Sequence, residues 1–592
     1  MNEEVALQTW SRPHTSETQG TEETSHSPWT QHEQGSTARV LPEKRGDEES
    51  PSADPPAEAE AGQAAPAQGI TGLKLFGILA SVTLSAFLML LDGSIIGVAI
   101  PNITSQFHSI HDVGWYTAAY QLSSAALQPL SGKIYTSYNT KWTYLFFFFL
   151  FEVGSLICGV ANSSSTLIGG RAVAGIGSSG LLNGGMTIIA GAVPLEKRPV
   201  YTGIYLGISQ LGIVCGPLIG GALTQYTTWR WCFYINLPVG GVVALLLLFL
   251  RVPELTKKEP FSLDLVRKTI PDLDLIGFSL FAPAAIMALL GLYYGGNEYA
   301  WDSSVVIGLF VGAAATITVF GCWERYMGDR AMIPTSMVSH HIVWTSAING
   351  GTLVASILVA AQYLPIYFQG VRGYGPAMSG VNTLPGILSQ LLTVIVSGGL
   401  VQKLGFYLPF AAAGSAISAV GNGIVTMFSP STPTAKWIGY QIVLGSGRGI
   451  GMQMGIIAIQ NLLAPEKIPI GIAFMIFCQN FAGAVFVVVG EVIFTQQLVQ
   501  QVQVHAPSVS VEAAEAAGAS ADSVRALVPE GSPELAGVLL AFSNSVDKVF
   551  YLLMALCLLG FVASFGMGWV DIKKKAAEAK ARAAENDEGS SV

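Results

Sequence analysis

The sequence predicts an all-α polytopic membrane protein with fourteen transmembrane helices. Three observations support this fold class. Hydrophobic residues make up 51% of the 592-residue chain and charged residues 12%, whereas soluble proteins average about 25% charged residues. Long apolar runs recur from residue 75 to residue 570. The basic residues between these runs alternate in number from one loop to the next. A chain this apolar requires lipid as its solvent.

The acidic residues concentrate at the N-terminus. Residues 1–70 contain thirteen acidic and four basic residues, whereas the rest of the chain has as many bases as acids. The net charge of −9 therefore belongs to this segment, which has too little apolar surface to offset the entropy of ordering. We expect a disordered acidic cytoplasmic tail. The chain has neither a basic face nor a zinc-ligand spacing, so we expect no nucleic-acid partner.

The apolar runs after this tail are long enough to cross a membrane. A transmembrane helix needs about 20 mostly apolar residues, and fourteen segments approach or exceed this length. They are residues 75–100, 113–134, 142–160, 167–193, 200–225, 232–250, 273–294, 305–323, 343–368, 378–401, 404–428, 437–463, 468–495 and 549–570.

The basic residues of the loops test this count, because cytoplasmic loops carry an excess of Lys and Arg. With both termini in the cytoplasm, the inner loops and the C-terminal tail contain eighteen basic residues, and the outer loops contain five. A missed or invented helix would invert every later loop and destroy this alternation. The sequence therefore predicts an even number of spans and cytoplasmic termini.

A short repeat relates the two halves of the chain. The fourth and twelfth spans match at an offset of 270 residues, where Gly175 corresponds to Gly445 and Gly185 to Gly455. Related halves around a central cavity are typical of secondary transporters. The spans then divide into two six-helix pseudo-symmetric bundles and an inserted pair. The predicted domains are the tail at 1–70, an N-terminal bundle at 71–255, a linker and inserted helix pair at 256–340, a C-terminal bundle at 341–570 with a long outer loop at 496–547, and a cytoplasmic tail at 571–592.

Five charged side chains fall within the apolar runs: Asp92, Glu152, Arg171, Arg448 and Glu491. Charges inside the hydrocarbon are costly and therefore suggest function. Asp92 and Arg171 are the candidates for proton coupling, in which Asp92 loads and releases the proton and Arg171 biases that exchange. The alternative is a structural polar contact between helices. Glu152 follows four phenylalanines, which suits helix packing equally well, and the glycines around Arg448 suit a close helix contact or a cavity wall.

A cluster of small residues marks the fifth span. It contains Gly212, Gly216, Pro217, Gly220 and Gly221. Proline removes a helical hydrogen bond and bends the helix, and glycines allow two helix backbones to approach closely. The cluster predicts a bent helix packed tightly on a neighbour.

Polar and aromatic side chains in the second half are the candidates for a substrate cavity at mid-depth. They are Gln362, Tyr363, Asn382, Gln453 and Gln479. Each has the alternative role of an interhelical hydrogen bond.

Two N-glycosylation sequons begin at Asn102 and Asn162, in predicted outer loops. Each lies against a helix end, so we expect neither to be used. The six cysteines fall in or beside apolar runs without a Cys-x-x-Cys spacing. We therefore expect buried thiols, and neither disulfides nor a metal site.

Four strings resemble motifs of the major facilitator superfamily, specifically its fourteen-helix drug:proton antiporters and the fungal branch that exports toxins and other secondary metabolites. Residues 91–101 look like the first-helix motif, whose aspartate is implicated in coupling. Residues 171–177 look like the fourth-helix motif, whose arginine is linked to proton transfer. Residues 212–221 match the fifth-helix antiporter motif at every fixed position, and residues 229–241 resemble this branch closely.

The loop after the second span departs from the family pattern. The gating motif of the superfamily matches at Gly132 and Lys141, but Thr136 stands where an aspartate is usual. A charge lock at this hinge is therefore in doubt.

The resemblance implies alternating access by rocking of two six-helix bundles, with protons entering and a small-molecule substrate leaving. It implies no cofactor besides the proton as coupling ion, and we expect a monomer in the lipid bilayer. We expect the protein to lie in the plasma membrane, with a vacuolar or vesicle membrane as the alternative location.

Other functions fit the sequence less well. An importer of sugar or siderophore type would share the fold, but the complete fifth-helix motif argues against it. An ATP-driven pump requires a Gly-x4-Gly-Lys-Ser/Thr loop, which the chain lacks. A membrane-embedded enzyme is disfavoured because no metal-binding or nucleophile motif is present. A receptor or scaffold without transport activity remains an alternative.

Overall fold

The computed structural model describes residues 72–108, 112–295, 299–510, 513, 524–528, 532–578 and 581. The predicted N-terminal tail and residues 582–592 of the C-terminal tail lie outside the described residues. Within the described part the chain forms helices and no β-strand, which confirms the all-α fold class.

The first half of the chain contains seven helices up to the central linker. They are α1 Leu73–Phe107, α2 Val113–Ser137, α3 Thr140–Val160, α4 Ser164–Ala192, α5 Arg198–Tyr226, the short α6 Trp231–Tyr234 and α7 Asn236–Phe249. The linker and the inserted pair contain α8 Leu263–Thr269, α9 Leu275–Tyr294, α10 Ser304–Met327 and α11 Thr335–Val338. The second half contains α12 His341–Ile366, α13 Pro376–Leu404, α14 Leu408–Val425, α15 Thr434–Gly451, α16 Met454–Leu462, α17 Ile468–His505 and α18 Pro533–Ser564.

Thirteen helical segments of the described chain are long and apolar enough to cross a membrane. The remaining predicted span, residues 113–134, is helical as α2 but is too polar to meet the same condition. Gln128, Ser131 and Lys133 lie in it and are buried against neighbouring helices. The count of fourteen therefore depends on α2, whose 25 residues extend over about 38 Å at 1.5 Å per residue.

The helices on either side of the predicted outer loop at 496–547 extend into it. Helix α17 continues to His505, and α18 begins at Pro533 rather than at residue 549. Val538, Phe542 and Val546 of α18 are fully buried, at a spacing that places them on one helix face. The residues between these three are partly polar and lower the mean hydropathy of this first part of α18. A prediction from apolar runs therefore places the start of the helix too late, at residue 549.

Side-chain caps fix several helix starts. Asn139 accepts a hydrogen bond from the backbone N–H of Trp142 at 3.2 Å and caps α3. Asp274 accepts one from Gly277 at 2.9 Å and caps α9. Such caps satisfy backbone donors that the first helical turn leaves free, and they separate consecutive apolar runs into distinct helices.

The same packing pattern occurs in both halves of the molecule. In the first half α1 packs on α5 and α7, and α4 packs on α2 and α3. In the second half α12 packs on α17 and α18, and α15 packs on α13 and α14. The two bundles meet through α5 against α13 and α2 against α17, while the hairpin of α9 and α10 lies against α2 and α17.

Loops assigned to the cytoplasm by their basic residues lie together at one end of the bundle. Lys133 Nζ donates to the carbonyl of Arg330 at 3.0 Å, and Lys467 forms an ion pair with Asp329 at 3.2 Å. These contacts join the loops after α2, after α10 and before α17. We call this end of the bundle the inner end.

Loops assigned to the outside meet at the opposite end. Arg230 donates to the carbonyl of Ala161 at 2.8 Å, and Arg525 donates to the carbonyl of Val371 at 2.8 Å. The alternation of basic loops thus corresponds to a physical grouping of loop ends. We call this end the outer end.

Candidate functional site

A buried ion pair joins α1 to α4. Arg171 Nη1 donates to Asp92 Oδ2 at 2.5 Å, and both side chains are at most 1% exposed. Arg171 Nε donates to the carbonyl of Tyr116 at 2.9 Å. The guanidinium lies 4.4 Å from the ring centroid of Tyr120, within the range of a cation–π contact. The structure therefore brings together the two proton-coupling candidates.

Asn236 completes the surroundings of Asp92. Its Nδ2 atom donates to Asp92 Oδ1 at 3.3 Å and to Ser155 Oγ at 3.1 Å. Arg171 Nη2 has no hydrogen-bond partner among the described residues. Asn236 is neutral, so a criterion based on intramembrane charge does not identify it. The signal was its position in the string 229–241.

Glycines on α4 bring the neighbouring helices close to Arg171. A Cβ atom at Gly175 would collide with the carbonyl oxygen of Tyr120 on α2. A Cβ at Gly177 would collide with the backbone N of Phe151 on α3. The close approach at Gly175, one turn from Arg171, brings α2 near enough for the Tyr116 carbonyl and the Tyr120 ring to contact the guanidinium.

Glu152 lies on α3 near this pair but does not join it. Both carboxylate oxygens are buried without a hydrogen-bond partner among the described residues. The carboxylate packs against α7, where a Cβ at Gly240 would collide with it. Glu152 lies one helical turn from Ser155, which accepts a hydrogen bond from Asn236, and makes no hydrogen bond to Asp92 or Arg171.

The antiporter-type string of α5 forms the contact with α1. A Cβ at Gly212 would collide with the carbonyl of Phe87 and lie 2.8 Å from the backbone N of Leu91. Ser94 Oγ of α1 donates to the carbonyl of Gly212 at 3.1 Å. Gly216 likewise faces Ser94. The small residues hold the α1 segment containing Asp92 directly on α5.

The last residues of the same string have different surroundings. A Cβ at Gly220 would lie 2.6 Å from Ile95 Cγ1, whereas one at Gly221 has nothing closer than Val98 at 3.9 Å. Pro217 lies inside α5 and leaves the carbonyl of residue 213 without its helical N–H partner. Pro217 and Gly221 both line a cavity between the two bundles.

A cavity of about 690 Å³ lies between the two bundles. Helices α1, α5, α12, α13 and α15 form its walls. The lining is mostly aliphatic and small, and it extends along α5 to the exposed Tyr226 at the outer end of that helix. Its polar and charged residues are Ser94, Gln210, Gln225, Thr383, Gln390, Gln441 and Arg448.

The cavity stops where α5 and α13 touch towards the inner end. A Cβ at Gly203 would lie 2.6 Å from the carbonyl of Val394, and one at Gly398 would collide with the carbonyl of Pro199. Gln453 Nε2 donates to the Val394 carbonyl at 2.9 Å. We call this contact of α5, α13 and Gln453 the inner seal.

A second closed contact at the inner end joins α2 to α17. Thr136 Oγ1 donates to the carbonyl of Glu466 at 3.2 Å, and Lys258 from the linker donates to the carbonyls of Tyr135 and Thr136. Burial lowers the pKa of Lys258 to about 8. The family pattern has an aspartate at the position of Thr136. In this chain, hydrogen bonds to backbone carbonyls form the contact at that hinge instead.

Arg448 lines the cavity and is fixed by neutral partners. Its Nη2 donates to the carbonyl of Ser356 at 2.7 Å and lies 3.5 Å from Asn422 Oδ1. Glu491 lies elsewhere, in a smaller cavity of about 200 Å³ beside Trp301. The structure thus separates Arg448 and Glu491 from each other and from the Asp92–Arg171 pair.

None of the five predicted substrate-cavity residues is among those that line the cavity between the bundles. Gln362 is exposed on α12, and Tyr363 packs on Phe494 with ring centroids 5.3 Å apart. The Asn382 carbonyl accepts from Gln441. Gln479 is buried on α17 opposite α12. Gln453 is part of the inner seal.

The sequons and the cysteines have varied surroundings. Asn102 is exposed within α1, and Asn162 is exposed in the short link between α3 and α4. All six cysteines are free, and Cys322 is exposed rather than buried as expected. No group of three or more potential metal-ligating side chains occurs in the described part of the chain.

Comparison with known proteins assigns the family. The sequence profile described as "Major Facilitator Superfamily" matches residues 82–487, which is more than half of the chain. The chain belongs to the major facilitator superfamily. The resemblance seen in the motifs is confirmed, and this member of the superfamily is a multi-pass membrane transporter.

Similar proteins occur in fungi. The chain is 83% identical to "MFS-type transporter calB" of Penicillium decumbens, over 90% of this chain and 94% of that protein. It is 48% identical to "Efflux pump mlcE" of Penicillium citrinum, over 86% of this chain and 92% of that protein. Such proteins are transporters, which are generally not enzymes, and no catalytic family is indicated.

Among solved structures, the proton:xylose symporter XylE of the same superfamily has a similar fold. The TM-score is 0.54 at 12% identity, over 84% of this chain and 97% of that chain. At this identity the similarity concerns the fold alone, and it agrees with the two bundles described above.

Proposed function

We propose that this protein is a proton-coupled efflux transporter that exports small organic molecules, such as toxins, secondary metabolites or drugs, by alternating access. One observation carries the proposal. The oppositely charged pair Asp92–Arg171 is fully buried in α1 and α4, while α1 also contributes Ser94 to the cavity wall. A proton-binding group and a substrate cavity thus share a helix.

The pair provides a chemical basis for coupling. When Asp92 accepts a proton, its Coulomb attraction to Arg171 is lost, and the guanidinium keeps only uncharged partners: the protonated carboxyl, the Tyr116 carbonyl and the Tyr120 ring. Breaking a buried ion pair in this way costs several kcal/mol, which is enough to change the balance between two packings of α1 against α4 and α5. The proton binds from one side, and its release to the other side resets the pair.

The energy available from one proton is adequate for export. A membrane potential of about 100 mV supplies about 2.3 kcal/mol per charge, and each pH unit supplies about 1.36 kcal/mol. One proton per substrate therefore sustains a concentration ratio of tens to hundreds.

The cavity and the inner seal support alternating access. The cavity reaches the outer end along α5, while α5 and α13 are in contact at the inner end. In the proposed cycle this arrangement is the outward-facing state, from which substrate leaves. The opposite state requires the inner seal to open and the outer cavity to close.

The named relatives favour export over import. One relative that is 48% identical over most of both chains is named an efflux pump. The symporter XylE moves a sugar together with protons, so the fold alone allows an importer of sugar or siderophore type. The fifth-helix string at 212–221, complete in this chain, favours the antiporter.

We further propose that the protein is a monomer in the plasma membrane with both termini in the cytoplasm, and that the proton is its coupling ion without another cofactor. A vacuolar or vesicle membrane is the alternative location. The eighteen basic residues of the predicted inner loops and C-terminal tail, against five in the predicted outer loops, support the orientation.

Efflux measurements test the proposed function. Yeast cells without their own drug pumps would express the protein and be loaded with a panel of fluorescent dyes and fungal metabolites. We expect efflux above the empty-vector control for at least one compound, because a cavity of about 690 Å³ has room for a drug-sized organic molecule. A protonophore is expected to reduce that efflux to the control level, since the proton gradient drives it.

Other outcomes would identify the rivals. Uptake that collapses with the protonophore would indicate an importer. Binding of a compound to the purified protein without flux in either direction would indicate a receptor. Efflux that persists with the protonophore but stops on ATP depletion would contradict the proton coupling.

Replacing Gly398 by alanine is expected to weaken the inner seal. A Cβ at this position would collide with the Pro199 carbonyl and lie 3.0 Å from Gln453 Nε2, whereas a Cβ at the adjacent Gly399 meets nothing within 4 Å. Gly398→Ala should therefore favour states open at the inner end, and Gly399→Ala is the matched control.

Labelling of a single introduced cysteine measures how far the inner seal opens. In a variant without the six natural cysteines, Ser397→Cys introduces a thiol at a position that is 1% exposed. We expect Gly398→Ala to increase its labelling by a membrane-impermeant maleimide applied from the cytoplasmic side, and Gly399→Ala to leave labelling unchanged. Equal labelling in both variants would show that this contact does not seal the inner end.

A further inference from the structure

The charge of the cavity between the bundles has one sign. Among the described residues that line it, Arg448 is the charged one, and its polar companions are amides and hydroxyls. Asp92, which could attract a cation, is fully buried, paired with Arg171 and absent from the lining. The cavity therefore presents a positive charge without an acidic counterpart.

Arg448 differs from Arg171 in how its charge is compensated. Both guanidinium groups are buried, but Arg171 faces a carboxylate, whereas Arg448 forms no ion pair with any described residue. Its Nε and Nη2 atoms donate to the hydroxyl and carbonyl of Ser356. These neutral acceptors orient the side chain and leave its positive charge uncompensated, which is costly in a buried position.

One edge of the Arg448 guanidinium remains available. No described residue accepts a hydrogen bond from Nη1, although Ser356 occupies the other two nitrogens. Gln441, two turns earlier on the same face of α15, also lines the cavity. Its Nε2 is held by the Asn382 carbonyl at 2.9 Å, and its Oε1 is buried without a partner. Two polar groups with unused hydrogen-bonding capacity thus border the same cavity.

Close contact between α13 and α15 fixes this region. A Cβ at Gly445 would collide with the carbonyl of Gly386, and one at Gly449 would collide with the carbonyl of Gln390. Helix α13 contains no acidic residue, and it presents backbone carbonyls to α15 on both sides of Arg448. A counter-charge for Arg448 must then enter with the ligand.

The rest of the lining sets the shape of the ligand. Aliphatic residues such as Ile213, Leu218, Leu364 and Ile387 make up most of the wall. A cavity of about 690 Å³ is within the range typical of sites for drug-sized molecules. The lining suits an apolar body with a single acidic group.

We propose that the cavity binds organic anions, apolar molecules that bear a carboxylate or similar acid group, with the acid paired to Arg448 and a hydroxyl of the ligand donating to Gln441. This inference rests on the proposed function, because it names the class of substrate that the transporter exports. Cationic amphiphiles are disfavoured at the same site, since they would face an uncompensated arginine.

Binding to the purified full-length protein in detergent tests this proposal independently of transport. Three fluorescent probes would share one apolar body: dansyl-labelled undecanoic acid, its methyl ester, and an analogue ending in a trimethylammonium group. We expect the wild type to bind the acid about tenfold to a hundredfold more tightly than the ester, the difference that a hydrogen bond to a charged group makes. The cationic probe should bind more weakly than the ester.

Three variants assign the preference to Arg448. Arg448→Gln is expected to bind acid and ester equally, with the ester affinity unchanged, whereas Arg448→Lys retains part of the preference. Gln441→Glu places a carboxylate in the cavity, and we expect it to abolish the preference without removing the buried arginine. Gln441→Glu decides the question if size-exclusion chromatography shows that Arg448→Gln does not fold.

Defined results would overturn the inference. Equal binding of acid and ester by the wild type, tighter binding of the cationic probe, or a preference that survives in both Arg448→Gln and Gln441→Glu would each exclude an anion site at Arg448. Failure of the proposed function gives a different result: selective binding of the acid by the wild type without protonophore-sensitive efflux of any probe. That outcome would leave the anion site in place and remove the coupled transport.

Discussion

Asp92→Asn is expected to reduce proton-driven efflux to the level of cells without the protein. Asparagine has nearly the shape of aspartate and keeps a hydrogen-bonding oxygen for Arg171, but it cannot exchange a proton. The substitution also leaves Arg171 buried without its counter-charge, which costs about 3–5 kcal/mol in other buried pairs. Two separate effects are therefore expected: loss of coupling and a lower melting temperature of the purified protein.

The double variant Asp92→Asn with Arg171→Gln separates these effects. Removing both charges eliminates the unpaired cation, and exchanging a buried ion pair for neutral groups is often close to neutral for stability. We expect the melting temperature to recover towards that of the wild type while proton-driven efflux stays absent. If efflux returned together with stability, the pair would be structural and the proton would bind elsewhere.

An exposed ion pair offers the matched control. Asp329 pairs with Lys467 at 3.2 Å, with side chains 58% and 34% exposed. Exposed pairs contribute about 0–1 kcal/mol, so Asp329→Asn should change the melting temperature little and leave the protonophore sensitivity of efflux unchanged. Protonophore-sensitive efflux in Asp92→Asn at wild-type rates would exclude Asp92 as the coupling group.

The sequence predicts the fold of this protein well because the bilayer simplifies the physical problem. Every span must satisfy its backbone internally and present apolar side chains to lipid, so hydropathy identifies the helices directly. The alternation of basic loops supports the span at α2, whose buried Gln128 and Lys133 lower its apolar content. The start of α18 at Pro533 escapes both signals, because its apolar residues occupy one face among polar neighbours.

The two residues of the ion pair are also accessible from sequence. Charges in the hydrocarbon are costly, so Asp92 and Arg171 stand out as functional candidates of opposite sign. Arg448, which forms no ion pair with a described residue, shows that such a charge alone does not identify its partner. Asn236 has no such signature, because a neutral amide costs little to bury when it is hydrogen-bonded.

The cavity lining is the part that the sequence does not reveal. Its walls are made largely of glycines, prolines and aliphatic residues from five helices, whose types are equally common at helix contacts. The polar residues expected to face substrate instead hold helices together, as Gln453 does in the inner seal. Only the arrangement of the helices distinguishes Gln441, which lines the cavity, from Gln479, which does not.

Gly212→Ala is expected to destabilise the protein and impair coupling together. Its Cβ would collide with the Phe87 carbonyl and lie 2.8 Å from the Leu91 backbone N. These are backbone atoms of a long helix, so α1 as a whole must move. Overpacking of this kind costs about 1–3 kcal/mol. Because Leu91 directly precedes Asp92, the movement also displaces the ion pair.

Gly221→Ala is the matched control for stability, since it lies in the same string and its Cβ would meet only Val98 at 3.9 Å. We expect its melting temperature to stay near that of the wild type, while Gly212→Ala lowers the melting temperature clearly and reduces proton-driven efflux at equal surface expression. Equal melting temperatures in the two variants would mean that α1 yields easily at this contact. The packing of α1 on α5 would then not require a glycine at position 212.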